Sequence, residues 1–422
     1  MKVPFLMRKF FNRTIGVVEK SETAHPVAED FLGLAMIYFR SMGVEPYESD
    51  KKPGLGFQLY LVFHIINMIF VWVSMMVFVF DSVCNDTSSD FLEVTIVMSY
   101  VTYGNVGVLK IIAIQLQKAK LTNLVRHLKC LLPPPIAKEQ ELYGVKHYLQ
   151  RCRLISKRFI CLFTTMLVTN SVSAIVQYVI QRWLLHVPNV EPNLPYVPIA
   201  PWSYRGTWRF LPTYLLQSIA AYTCTCGYIA TDLMLFAVSL QVIMHFKTLA
   251  RTLREFDVQN NRNKKLADND LRKLRGLIAC HIEILEVTNE MNDVFGVPLL
   301  LNFLNSTLLV CNVGFQLTIG IGLDFVGRQV LIIICALVEI YLICYFSQQL
   351  IDASNDISFA VYEMNWMEAD PRFRKMLMLM SMRAQKPVRF KATIFLDISI
   401  ETMSIFLKVS YRFFGAIRMM YQ

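Results

Sequence analysis

The sequence predicts an all-α membrane protein with seven transmembrane helices, its N-terminus in the cytoplasm and its C-terminus outside. Three observations carry this. The 422 residues are 55% hydrophobic with a mean hydropathy of +0.41, too apolar for a soluble chain of this length. Several runs are long enough to cross a hydrocarbon core of about 30 Å, which takes about 20 helical residues. Lys and Arg fall in alternate connectors: eight lie between Lys2 and Lys52, none between Asp81 and Asp90, and they return from Lys118 to Arg158. Short translocated loops are poor in Lys and Arg, so this pattern sets the orientation and requires an odd number of crossings.

The first span is expected at about Leu55 to Phe80 and the second at about Phe91 to Leu116. The first 30 residues hold no apolar core of the length a cleavable signal peptide needs, so insertion starts with the first span. The third span covers about Phe159 to Leu184. The connector after it carries Pro188, Pro192, Pro195, Pro198 and Pro201, a spacing that forbids a helix and favours an ordered extended lid. The fourth run, about Phe210 to Met244, is longer than a bilayer needs, so its end should project towards Lys247, Arg251 and Arg254. A polar stretch, Glu255 to Asp270, precedes an amphipathic helix from Leu271 to Asn292 that feeds the fifth span, about Phe295 to Leu323. The sixth span is about Gln329 to Leu350. Apolar residues then recur at helical spacing through Asp352 to Met382, and after a Lys386-Pro387 break the last span runs from Phe390 to about Tyr421. The projecting ends and the Asp352 to Met382 segment can build a cytoplasmic helical bundle or lie as loops on the membrane. Trp366, Met367, Met376, Met378 and Met380 favour packing.

The net charge of +10 is spread over alternate connectors rather than one patch. It signals topology and attraction to acidic lipid headgroups, and argues against nucleic acid as a partner. Of the ten cysteines only Cys84 falls in a predicted outside connector, so no disulfide framework is expected; Cys224 and Cys226 lack a nearby His or Cys and read as buried thiols rather than a metal pair. No phosphate-binding loop, dinucleotide fingerprint, zinc-protease motif or nucleophile elbow is present, and His245 and His281 sit at helix ends where hydrogen bonding is their ordinary role. An enzyme and a resident cofactor or metal are not expected. The sequon Asn85-Asp86-Thr87 lies in the first outside loop and makes Asn85 a glycosylation candidate; Asn305-Ser306-Thr307 lies inside an apolar run.

The last span differs from the rest. At ~100° per residue, Asp397, Glu401, Lys408 and Arg412 fall within about 60° of one another, a charged stripe on an apolar helix. Each central charge costs about 3 kcal/mol against lipid, so the stripe should meet protein or water. Two readings are open. The charges can pair within the bundle while arginines snorkel outward, or the face can line a hydrated conduit that narrows at Ala416, Met419 and Met420.

The C-terminal stretch carries a resemblance. Tyr362-Glu363-Met364-Asn365-Trp366, then Ala384-Gln385-Lys386-Pro387-Val388, then Ser399 through Lys408, Val409, Ser410 and Tyr411 resemble the signature end of insect odorant receptors. Asp232, His245-Phe246 and His281 are similar to weaker landmarks of that family. The likeness spans nearly the whole chain in architecture and is specific mainly over Tyr341 to Ile417.

The resemblance implies a subunit of a tetrameric ligand-gated cation channel in the plasma membrane of sensory dendrites, in which an odorant-tuned subunit joins a shared co-receptor. It places a small volatile odorant in an apolar pocket in the outer half of spans two, three, four and six. Positions picked there for helical spacing, hydroxyls and absence of charge are Ile96, Ser99, Tyr100, Ser173, Val176, Ile180, Ser218, Tyr222, Leu331 and Ile334. It also makes the last helix line a pore, with Lys408, Arg412, Ala416, Met419 and Met420 along it and the constriction on the turn after Gly415. The co-receptor's long second-loop insertion is missing between Gln117 and Arg158, which fits a tuning subunit. Lys408 and Arg412 stand where co-receptors carry small or apolar residues.

The implied divisions are a cytoplasmic segment at 1–54, six spans with the ligand pocket and cytoplasmic extensions at 55–350, a cytoplasmic anchor region at 351–389 and the pore-lining last span at 390–422. Three rival readings share parts of this pattern. A gustatory receptor has the same architecture; a G-protein-coupled receptor needs the opposite orientation; a secondary transporter needs broken helices and ion-coupling carboxylates, for which Asp232 is the one mid-sequence candidate.

Overall fold

A computed structural model describes residues 25–48, 54–84, 91–186, 192–196, 202, 208–258, 264–319, 323–393 and 396–421. Eleven helices are described: α1 (Ala28–Ser41), α2 (Leu55–Cys84), α3 (Phe91–Leu116), α4 (Lys118–Leu131), α5 (Ala137–Tyr143), α6 (Val145–Val179, continued by a π-helical turn, Ile180–Leu184), α7 (Phe210–Arg254), α8 (Lys264–Ile319), α9 (Leu323–Glu363), α10 (Pro371–Ala384) and α11 (Ile400–Tyr421). The hairpin β1 (Phe390–Ala392) and β2 (Leu396–Ile398) precedes α11.

Six helices, α2, α3, α6, α7, α8 and α9, are long and apolar enough to cross a membrane. The seventh, α11, is 22 residues long and carries Glu401, Lys408, Arg412 and Arg418, a charge load that a lipid-facing span does not tolerate. The helix α7 is the axis of the bundle. Every residue from Thr223 to Phe246 is buried, because α1, α2, α3, α6, α8 and α9 all pack around it.

The helices run past the expected spans on one side. Residues 264–319 form one helix, so the Leu271 to Asn292 segment joins its span without a break, and α9 continues to Glu363, so the Asp352 to Met382 segment is split between α9 and α10. The N-terminal segment contributes α1, whose Phe31, Leu32, Ala35 and Phe39 repeat at helical spacing and are buried against α7 and α6. Leu121, Leu124, Val125 and Leu128 of α4 are buried in the same way. Asp370 caps α10, accepting a 2.7 Å hydrogen bond from the Arg372 N–H, with Pro371 at the first helical position. Arg372 also holds the Asp370 carboxyl below its usual range.

The last span starts at Ile400, not Phe390. Phe390, Ala392 and Ile398 point to one buried side while Lys391 and Asp397 point outward, the two-residue period of a strand. Asn292 of α8 extends the hairpin: its Nδ2 donates to the Arg389 carbonyl at 3.0 Å and its Oδ1 accepts from the Lys391 N–H at 3.2 Å. Asp397 therefore leaves the charged stripe and pairs with Arg389 at 3.5 Å. The α11 helix packs on α8 through an edge-to-face pair, Phe303 and Phe406, and through Cys311, whose thiol donates to the Ser410 carbonyl at 3.2 Å.

Candidate functional site

A cavity lies at the end of the bundle opposite Arg254, where α2, α3, α6 and α7 converge beneath the connector between α6 and α7. Its volume of about 70 Å³ is several times the ~10–15 Å³ that one water needs. From α2 come Met68, Val71, Trp72 and Met75; from α3, Ser99, Tyr100, Val101, Tyr103 and Gly104; from α6, Met166, Leu167 and Asn170. The α7 wall is Gln217, Ala220, Ala221, Cys224 and Thr225, and Leu309 of α8 and Ile332 of α9 close the inner side. Among the described residues, no charged side chain lines it.

The connector supplies the roof. The Tyr196 ring stands edge-on to Tyr100 at 5.3 Å, its hydroxyl shares a 2.8 Å hydrogen bond with Ser171, and its N–H donates to Gln217 Oε1 at 3.3 Å. Trp202 stacks on Phe70 at 5.6 Å and donates to Thr213 Oγ1 at 3.0 Å. Pro192 and Pro195 suit the non-helical backbone of residues 192–196, and Tyr196 and Trp202 anchor on the bundle.

Polar groups in the wall are few and mostly engaged. Ser99 Oγ donates to the Thr95 carbonyl and accepts from Gln316 Nε2 at 3.0 Å. The Tyr103 hydroxyl donates to Thr225 Oγ1 at 3.2 Å. The Asn170 amide donates to the Met166 carbonyl at 2.9 Å, while its Oδ1 is buried without a partner among the described residues. A largely apolar cavity with hydroxyls and the spare Asn170 acceptor suits a small neutral organic molecule held by burial and a hydrogen bond.

Of the positions picked from sequence, Ser99 and Tyr100 line this cavity. Ile96 stands half-buried one turn away. Ser173 accepts a 2.9 Å hydrogen bond from Arg328 Nη1 and lies beyond Asn170 on α6. Val176 and Ile180 are 45% and 41% exposed on the outer surface of α6, and Ile334 is 43% exposed on α9. Ser218 is half-buried off the lining, and Tyr222 and Leu331 pack against the main core. Asn85 lies outside the described residues. The wall from α2 was missed, although Met68, Val71, Trp72 and Met75 recur at helical spacing. Cys224, read as an ordinary buried thiol, is a wall residue.

Two turns below the cavity lies a charged cluster that sequence reasoning saw only in Asp232. The Lys110 ammonium of α3 sits 2.9 Å from both carboxylate oxygens of Asp232 on α7 and 2.7 Å from Glu339 Oε1 on α9. All three residues are at most 2% exposed. A lysine inside the Phe91 to Leu116 run was the available signal, since an ionisable group at that depth needs a partner.

On α11, Glu401, Lys408, Arg412, Ala416 and Met419 share the exposed side, opposite the buried Thr402, Phe406 and Ser410. The Met420 side chain lies outside the described residues. None of Glu401, Lys408 and Arg412 forms an ion pair among the described residues, so the stripe faces away from its own chain.

A family model described as 7tm Odorant receptor matches residues 90–411. Odorant receptor 67a of Drosophila melanogaster is 46% identical over 406 residues, covering 96% of this chain and 99% of its own length. Odorant receptor 85b of the same fly is 33% identical, covering 93% and 99%. Among solved structures, the insect olfactory receptor OR5 from Machilis hrabei, described in complex with eugenol, superimposes with a TM-score of 0.75 at 14% identity over 93% of this chain and 98% of its own, a likeness of fold.

Proposed function

Because the chain belongs to the insect odorant receptor family, we propose that it is the odorant-tuned subunit of a ligand-gated, non-selective cation channel that assembles with a co-receptor as a heterotetramer. The observation that carries the ligand part of this reading is the cavity beneath Tyr196, walled by apolar, hydroxyl and amide side chains with no charge among the described residues. A volatile loses little by leaving water, so burial supplies its affinity, and Ser99, Tyr103, Thr225 and Asn170 offer the hydrogen bonds that discriminate between ligands. The site so proposed keeps Ser99 and Tyr100 and draws on α2 in place of the surface of α6. The cluster of Lys and Arg around α1, α4 and the ends of α7 and α8 supports a cytoplasmic position for those ends, and with it a cavity in the outer half of the membrane. The plasma membrane of olfactory sensory neuron dendrites is the corresponding location.

The pore part rests on the exposed charged side of α11. Four copies facing a common axis would put Lys408 and Arg412 in a water-filled inner vestibule and Ala416 with Met419 and Met420 at a hydrophobic constriction that closes by dewetting. Such a site needs no cofactor and performs no catalysis.

The test is whole-cell current from cells expressing this chain with the co-receptor, during brief pulses of a volatile panel. The reading requires a fast inward current to at least one neutral volatile, absent when this chain is omitted. Current that is identical with and without this chain contradicts it.

A further inference from the structure

The cavity and the buried charged cluster are in register. Tyr103 and Lys110 on α3, Thr225 and Asp232 on α7, and Ile332 and Glu339 on α9 are each seven residues apart, two helical turns or about 10.5 Å. The faces that line the cavity therefore carry the charges one layer deeper. Tyr228 fills the space between the layers. Its ring stacks on Tyr103 with centroids 4.6 Å apart and planes 13° apart, and the Lys110 ammonium lies 4.4 Å from its ring centre. Tyr228 is 3% exposed.

We infer that Tyr228 is a positioning residue that transmits occupancy of the cavity to the inner half of the bundle, with Lys110, Asp232 and Glu339 as the element it acts on. This rests on the ligand-site reading above. A ligand against Tyr103 bears on a ring that has Tyr228 directly behind it, and Tyr228 cannot move without changing the aromatic face it offers the ammonium. The ammonium has three N–H donors, and three carboxylate oxygens lie within hydrogen-bond reach of it. The ammonium therefore ties α3 to both α7 and α9, through Asp232 and Glu339. Between the layers, a Cβ on Gly107 would stand 2.7 Å from the Cys224 carbonyl, so α3 and α7 cross backbone to backbone and cannot slide there. Displacement then passes to α9 through Glu339. Two turns further along α9, Ser347 donates to the Ile398 carbonyl in the strand that leads into α11. The route runs from cavity wall to last helix through side-chain contacts as far as Glu339, then along the rigid α9 helix to Ser347 and its hydrogen bond to Ile398.

The experiment compares Tyr228→Leu, which removes the ring, with Tyr228→Phe, which keeps it, in cells expressing the full chain and the co-receptor. Surface level, ligand-free current, maximal odorant current and half-maximal concentration are read for each. In Tyr228→Leu at wild-type surface level, the maximal current should fall about fivefold with a smaller change in half-maximal concentration, and Tyr228→Phe should restore it. Three results overturn the inference: an unchanged maximal current in Tyr228→Leu, a shift in half-maximal concentration alone, or a loss of surface level in Tyr228→Leu that Tyr228→Phe restores while current per surface receptor stays unchanged, which marks a purely structural ring. Wild-type assemblies that carry ligand-free current but respond to no volatile contradict the ligand-site reading instead. The relay is then judged on ligand-free current, and its equality in wild type and Tyr228→Leu contradicts the relay as well.

Discussion

The Lys110 ammonium lies 2.7 Å from Glu339 Oε1, with both side chains shut off from solvent inside the bundle. Breaking such a pair leaves an uncompensated buried charge, at about 3–5 kcal/mol, whereas replacing all members by neutral groups of similar shape is far milder. Lys110→Met should therefore reduce surface level severely, and the triple variant Lys110→Met, Asp232→Asn, Glu339→Gln should recover much of it. Surface biotinylation checks this; equal levels in the single variant and the wild type would show that the cluster does not hold α3, α7 and α9 together.

Gly107 and Gly227 should tolerate no side chain. A Cβ on Gly227 would stand 2.7 Å from the Gly107 carbonyl, and one on Gly107 would meet Cys224 backbone, so neither neighbour can rotate away. Gly107→Ala and Gly227→Ala should each cost about 1–3 kcal/mol through overpacking, read as lower thermal stability of the detergent-solubilised protein. Gly33→Ala, where no atom lies within 4 Å of an added Cβ, is the matched control and should be neutral.

Arg254 makes the opposite case. It bridges Asp356 at 2.6 Å and also reaches Glu363, but its side chain is 35% exposed and its partners 38% and 52%. Solvent screening limits such pairs to about 1 kcal/mol or less. Arg254→Ala should leave surface level and thermal stability nearly unchanged, and a loss as large as that of Lys110→Met would show that the cytoplasmic ends depend on this network.

The proposed orientation rests on loop charge. An N-terminal epitope should be invisible to antibody on intact cells and visible after permeabilisation, and a C-terminal epitope should be visible on intact cells. The reverse pattern would place the cavity and its Tyr196 roof in the cytoplasm.

Much of this architecture is readable in the sequence because each span is an apolar run bounded by charge or proline. The start of the last helix was not. Phe390, Ala392, Leu396 and Ile398 continue the apolar run, and their two-residue period was the sign of a strand; Ser399, whose N–H donates to Thr402 Oγ1 at 3.0 Å, marks the true helix start. The cavity was partly readable. Ser99 and Tyr100 stood out as hydroxyls in an apolar helix, but Met68, Val71 and Met75 could not be told from lipid-facing residues, since in a membrane both surroundings are apolar. Asp232 stands out by its charge, and Lys110 and Glu339 are as deeply buried, but their pairing joins three helices far apart in sequence and shows only in the fold.

The central claim is that the cavity beneath Tyr196 is the odorant site, and Tyr100→Ala tests it most directly. The Tyr100 ring lines the cavity and supports the Tyr196 roof, so its loss removes burial for any ligand there, about 1.5–3 kcal/mol or roughly tenfold or more in sensitivity. Concentration–response curves to the volatile panel, at matched surface level, should show that loss for the best wild-type ligand and a reordering of the panel towards bulkier molecules. An unchanged rank order with unchanged sensitivity would contradict the account.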